Sequence, residues 1–85
     1  MYRYTLEVDG MMCGMCEAHV NETVRKNFDV KKVKSSVNKR ETVIECENLL
    51  DEDKLKKAID DTGYSVINIY KEEIGKKGLF GFLKN

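Results

Sequence analysis

Tyr2-Arg3-Tyr4-Thr5-Leu6-Glu7-Val8-Asp9-Gly10-Met11-Met12-Cys13-Gly14-Met15-Cys16-Glu17-Ala18-His19-Val20 changes its hydrophobic period once, and that change decides the fold. Up to Val8 the side chains alternate. Tyr2, Tyr4, Leu6 and Val8 fall on one side and Arg3, Thr5 and Glu7 on the other, the pattern of a half-buried strand. Asp9-Gly10 breaks it. From Cys16 the period becomes four: Val20, Val24 and Phe28 align, while Glu17, Asn21, Glu22, Arg25 and Lys26 are expected to face water. This spacing predicts an amphipathic helix that starts at Cys16 and ends near Asn27 or Phe28. A short loop carrying Met11, Met12, Cys13 and Met15 joins the two elements.

Working outward, residues 30–37 read as a second strand, with Val33, Ser35 and Val37 as its inward set. Asn38-Lys39-Arg40-Glu41 is polar and hairpin-like, although it lacks the Asn-Gly or Asp-Gly of a tight two-residue turn. Residues 42–46 return as a third strand with Ile44 and Cys46 inward. Asp51-Glu52-Asp53 suits the positive first turn of a second helix, whose apolar stripe is Leu55, Ala58, Ile59 and Thr62 and whose stop is Gly63. Residues 64–71 form the fourth strand. Strand, helix, strand, strand, helix, strand is the order of an α+β, ferredoxin-like βαββαβ sandwich: a four-stranded antiparallel sheet with both helices on one face. The domain is expected to span residues 1–73. Residues 74–85, which mix glycine, lysine and the apolar cluster Leu79, Phe80, Phe82 and Leu83, are taken as a flexible C-terminal tail dispensable for fold and metal, whose cluster suits a membrane surface or a partner.

The 85 residues suffice for one hydrophobic core and leave little space for the deep cleft of most enzymes. Fifteen basic and fifteen acidic residues cancel, so net charge gives no reason to expect nucleic acid as a partner. The middle strands also lack the stacked aromatics with which this element order binds RNA. No stretch approaches the ~20 apolar residues of a membrane span, so no stable membrane insertion is expected. Without a signal-peptide pattern at the start, and with an odd cysteine count, the chain reads as cytoplasmic.

Cys13 and Cys16 bring two sulfurs within reach of one ion at the start of a helix, where backbone N–H groups favour thiolate. Soft thiolates select Cu(I), Zn(II) and similar ions over Mg(II) or Ca(II). A lone CxxC is equally the pattern of half a zinc site or of a thiol–disulfide redox pair. A closed zinc site wants four ligands, however, and only His19 and Cys46 remain as good donors. Cys46 belongs to a strand far from the loop, and His19 is expected to be solvated. A two-coordinate site suits Cu(I) or Hg(II) better, and Met12 ahead of the first cysteine offers no hard carboxylate to a divalent ion. The redox reading is weakened because the chain has neither the tryptophan nor the proline that flank thioredoxin-like pairs.

Gly10-Met11-Met12-Cys13-Gly14-Met15-Cys16 resembles the GMxCxxC motif of the heavy-metal-associated domains, and Ala58-Ile59-Asp60-Asp61-Thr62-Gly63-Tyr64 resembles that family's second-helix ending. The resemblance covers roughly residues 2–71. It implies that Cys13 and Cys16 are the metal ligands, that Met11 tucks into the core, and that Tyr64 sits beside the site. Met12 and Met15 are expected to form a soft contact surface there. It implies a non-enzymatic carrier of one Cu(I) per chain that passes the ion by thiolate exchange to a metal-transporting P-type ATPase or a metal-responsive regulator. A metal-bridged homodimer fits the same pattern. Hg(II), Zn(II) and Cd(II) are the alternative cargoes. The family more often carries threonine, histidine or serine where Met12 stands, and many members lack residues equivalent to those after 72.

Overall fold

The computed structural model describes residues 1–74; residues 75–85, and with them most of the segment read as a tail, lie outside it. The order of elements is β1 (Tyr2–Asp9), α1 (Gly14–Asn27), β2 (Lys32–Ser36), β3 (Glu41–Cys46), α2 (Glu52–Asp60) and β4 (Ser65–Glu73). The strands form one antiparallel sheet in the order β2-β3-β1-β4, with β1 and β3 in the centre. This is the ferredoxin-like βαββαβ arrangement that the switch of period predicts.

Tyr4, Leu6 and Val8 of β1 are buried with Ile44 and Cys46 of β3, and against them pack Val20 and Val24 of α1 and Leu55 and Ile59 of α2. Both helices therefore cover one face. The opposite face is open and held by charge pairs across strands: Arg3 bridges Glu45 at 3.3 Å and Glu72 at 3.0 Å. Two polar residues lie within the core. Ser35 and Thr42 share a hydrogen bond of 2.8 Å, and Ser35 Oγ also donates to Asn21 Oδ1 at 2.7 Å, so neither is left unsatisfied.

Several local expectations change. Helix α1 begins at Gly14, two residues before Cys16, because the Cys13 carbonyl accepts the N–H groups of Cys16 at 3.0 Å and Glu17 at 3.2 Å and so closes the first turn early. Glu17 and Asn21 do not simply face water. Glu17 Oε2 accepts the Val37 N–H at 2.8 Å, supplying a partner to backbone that has just left β2, while Asn21 holds Ser35.

Strand β4 starts at Ser65 and runs two residues past Lys71, its ladder with β1 closing on Tyr2↔Glu73 and on an Ile74 N–H to Met1 carbonyl bond of 2.9 Å. Its register slips between Glu7↔Asn68 and Val8↔Val66, which leaves Ile67 as an extra, exposed residue. The hairpin between β2 and β3 turns through Arg40 at φ 55°, in the left-handed region that Asn-Gly would have occupied more cheaply.

Candidate metal centre

The loop after β1 is shaped by Gly10, at φ +103°, where a Cβ would stand 3.4 Å from Tyr64 Cδ1. Glycine both permits the turn and lets the Tyr64 ring close over it. Met11 then drops into the core, 8% exposed, and anchors the loop from beneath. Met12 and Met15 point the other way, 81% and 82% exposed, and flank the cysteines with soft apolar surface.

Cys13 is the exposed N-cap residue of α1, and Cys16 lies half-buried in the helix's first turn. Both thiols thus sit at the positive end of a 14-residue helix. The Cys16 thiol is held at about 7, below the ordinary thiol range, first by the Tyr64 hydroxyl and then by the backbone of Met12 and Cys13. The same contact, and after it burial, pushes the Tyr64 phenol up.

Tyr64 is brought there by the end of α2. Thr62 Oγ1 donates to the Ile59 carbonyl at 2.6 Å, Gly63 takes φ +102°, and Asp60 Oδ1 accepts the Val66 N–H at 2.9 Å. Lys56, 2.6 Å from Asp60, and the Val66 amide hold that carboxyl below its usual range. The segment Asp60–Val66 is therefore a braced corner between α2 and β4, with Tyr64 at its tip.

His19 is exposed, and its Nδ1 lies 3.4 Å from the Tyr64 hydroxyl, the two rings meeting edge to face at 5.8 Å. The residue spacing alone places His19 one helical turn past Cys16 but does not reveal this contact with Tyr64. Cys46 lies at the other end of the sheet, opposite Tyr2 in the register, fully buried, with its S–H directed to the Asn48 carbonyl at 3.1 Å. Burial pushes its thiol up. Among the described residues no three His, Cys, Asp or Glu side chains converge as a ligand set. What the loop offers a metal is two sulfurs, with methionines and a phenol around them. An open groove of about 560 Å³ runs between α1 and α2 past His19 and Phe28, but neither cysteine lines it. No helix among the described residues is long and apolar enough to cross a membrane.

Among curated proteins, no sequence matches this one. Solved structures do. The yeast copper transporter domain Ccc2a, determined in apo and Cu(I)-loaded states, is 26% identical over 80% of this chain and 97% of its own, with a TM-score of 0.69. The N-terminal domain of ZntA in its Zn(II) form is 28% identical over 76% of this chain and 88% of its own, with a TM-score of 0.69. Oxidized MerP from Ralstonia metallidurans CH34 is 30% identical over 80% of this chain and all of its own, with a TM-score of 0.67. The model of the heavy-metal-associated domain matches residues 5–65, which include the whole loop, both cysteines and Tyr64, and the chain belongs to that family.

Proposed function

We propose that this chain is a carrier of one Cu(I) ion, held between the thiolates of Cys13 and Cys16 and passed on by ligand exchange. The observation that carries the reading is the isolation of the pair: two thiols on an exposed loop at a helix N-terminus, with no His, Asp, Glu or further Cys among the described residues converging on them. Two thiolates satisfy a linear d10 ion such as Cu(I) and leave Zn(II), which wants four ligands, short of them. Exposure of Cys13 leaves the metal open to a third sulfur from a partner, so a three-coordinate intermediate forms without the ion entering water. Tyr64 and the backbone amides keep Cys16 ready as thiolate near neutral pH. Met11 holds the loop from below, and Met12 and Met15 give a partner a deformable surface to press on.

The recipient on this reading is a cytoplasmic metal-binding module of a copper-transporting P-type ATPase, or a metal-responsive regulator. The similarity to Ccc2a, described as a copper transporter domain, supports this choice. Two copies sharing one Cu(I) through four thiolates would give a metal-bridged dimer. Nothing in the mechanism needs a chemical step on a bound substrate, so the chain is read as a carrier rather than an enzyme. The similarity to ZntA in its Zn(II) form favours one second reading, a Zn(II) or Cd(II) module. Such a site would have to borrow ligands from a partner or from water. Titration of the reduced chain with Cu(I) and with Zn(II), each against a competing chelator, tests the choice. Cu(I) is expected to bind one per chain and far more tightly; tighter Zn(II) binding overturns the reading.

A further inference from the structure

We infer that two copies of this chain associate through β4, antiparallel and about a two-fold axis at Tyr70, joining their two four-stranded sheets into one. The inference does not depend on which metal the loop holds. The sheet has two edges, β2 and β4, and they are not alike. β2 is five residues long and carries exposed Lys32 and Lys34, the kind of charge with which edge strands resist pairing. β4 is nine residues long, and from Ser65 to Tyr70 it has no charge. Ile67 and Tyr70 on it are 54% and 59% exposed. An uncharged run of β-branched and aromatic residues on an open edge is a template for another strand.

Backbone phase and side chains together select a second copy as that strand. The Ile74 N–H donates to the Met1 carbonyl at 2.9 Å, so Met1 and Ile74 form a hydrogen-bonded pair, and the pairs alternate from there. Glu72, Tyr70 and Asn68 turn their backbone groups to β1. Glu73, Lys71 and Ile69 turn theirs outward, where no strand stands among the described residues. With Tyr70 at the two-fold, Ile69 of one copy meets Lys71 of the other, outward residue against outward residue, and each pair exchanges both backbone bonds. On the open face Tyr70 then stands opposite its own equivalent, an aromatic cross-strand pair. Asn68 comes opposite Glu72, an amide donor facing a carboxylate, on both sides of the axis. A register centred on Lys71 would set two ammonium groups against each other. One centred on Ile69 would put Tyr70 opposite Asn68 and draw in the bulge at Ile67. The contact is isologous, so it closes at two copies. The cysteine loop follows Asp9, which pairs with Ser65, so the two loops lie at opposite ends of the paired strands, roughly 30 Å apart along them. This association therefore needs no shared metal ion, unlike a dimer bridged through Cys13 and Cys16.

The test is sedimentation equilibrium of the full chain, reduced and free of metal, at concentrations up to roughly 1 mM, the range suited to a contact of one strand pair. A mass that rises toward two chains is expected, with concentration-dependent amide shifts at Ile69, Tyr70 and Lys71. Cys13→Ser with Cys16→Ser should associate as wild type does. Lys71→Pro removes an outward N–H that β1 does not use, and Tyr70→Lys sets two ammonium groups together at the axis. Each should weaken association at least about tenfold with the thermal midpoint nearly unchanged; if Lys71→Pro disturbs the fold, Tyr70→Lys decides. A wild-type chain that stays monomeric throughout overturns the inference. So do shifts confined to β2, to the helices or to Met12 and Met15, association lost in the double serine variant, or a Tyr70→Lys chain that pairs as well as wild type.

Discussion

Cys46 and Cys16 are the same chemical group at opposite ends of one sheet, and they differ in nearly every property that matters for metal transfer. Cys46 is sealed in the core at the end of β3, with its S–H spent on the Asn48 carbonyl and its thiol pushed up by burial. Cys16 stands in the first turn of α1 beside the Tyr64 hydroxyl and is held at about 7. The difference teaches that reactivity here comes from position. A helix start, two backbone amides and one phenol create a thiolate, and a strand interior removes one. The two regions also divide the work. The pole at the start of β1 carries packing, and the pole at its end carries exposed donors that packing has left free.

The contrast breaks most visibly if the loop pair is removed. Cys13→Ser with Cys16→Ser is expected to weaken Cu(I) binding at least about a thousandfold, roughly 4 kcal/mol, with the fold intact because Cys13 is exposed and Cys16 only packs, half-buried, on the edge of the core. Chelator competition and circular dichroism check the two halves of that statement. Near-native affinity in the double variant would move the site elsewhere. Gly10→Ala should come next. An L side chain at φ +103° costs roughly 1–2 kcal/mol, and the new Cβ would stand against the Tyr64 ring, 3.4 Å from Cδ1. The thermal midpoint should fall by at least about 4 °C.

A third measurement sharpens the comparison through pH. In the folded, metal-free chain the rate of Cys16 alkylation should rise as pH climbs through about 7, since deprotonation is what makes it nucleophilic. Below that pH the thiol is protonated and slow. Tyr64→Phe removes the leading cause of the shift, so its profile should move toward higher pH. Cys46 should stay unmodified throughout until the chain unfolds. Rapid labelling of Cys46 under native conditions would erase the distinction between the two poles.

Much of this was legible from residue pattern. The period change at Gly10 specifies β1, the loop and α1, and Val20, Val24, Leu55 and Ile59 are buried as their spacing requires. The cysteine pair with Met11 and Tyr64 is equally visible as a motif; the structure puts Tyr64 beside Cys16 and Met11 in the core. The rest depended on contacts between distant segments. Alternation could not assign an inward set on β4, because the slip at Ile67 puts Val66 and Ile69 on the packed side three residues apart. Glu17 and Asn21 look like solvated helix residues until β2 supplies a backbone N–H and a serine hydroxyl for them. The approach of His19 to Tyr64 joins residues 45 apart in sequence, and no local pattern encodes it.

Two further substitutions probe the donors that the site is expected not to use. His19→Ala and Cys46→Ala should each leave Cu(I) affinity within about tenfold, ~1.4 kcal/mol. Cys46→Ala should still lower stability by about 1 kcal/mol, as trimming a small core side chain does. His19→Ala should leave stability nearly unchanged, since the ring is exposed. A hundredfold loss of affinity in either variant would restore that residue as a ligand.

The smallest expected effect lies just behind the loop, at Arg40. Its φ of 55° is a conformation that costs an L residue roughly 1–2 kcal/mol, and the hairpin adopts it for a reason. In that conformation the Arg40 N–H reaches the Val37 carbonyl at 3.2 Å, and the Arg40 carbonyl accepts the Val8 N–H at 2.9 Å, one step beyond the last β1–β3 pair. The turn thus supports β1 at the point where it gives way to Gly10. Asparagine tolerates this region of backbone space, whereas a β-branched residue does not. Arg40→Asn should therefore raise the thermal midpoint slightly, by less than about 1 kcal/mol of stability, and Arg40→Val should lower it by a similar or larger amount. Neither should change metal affinity if the turn serves only the packing. Equal losses in both variants would mean that the guanidinium, not the backbone angle, is what the hairpin requires. A fall in Cu(I) affinity with Arg40→Val would mean that strain behind β1 reaches the cysteines, and the division of the molecule into a packed pole and a free one would then have to be redrawn around the Val8–Arg40 hydrogen bond.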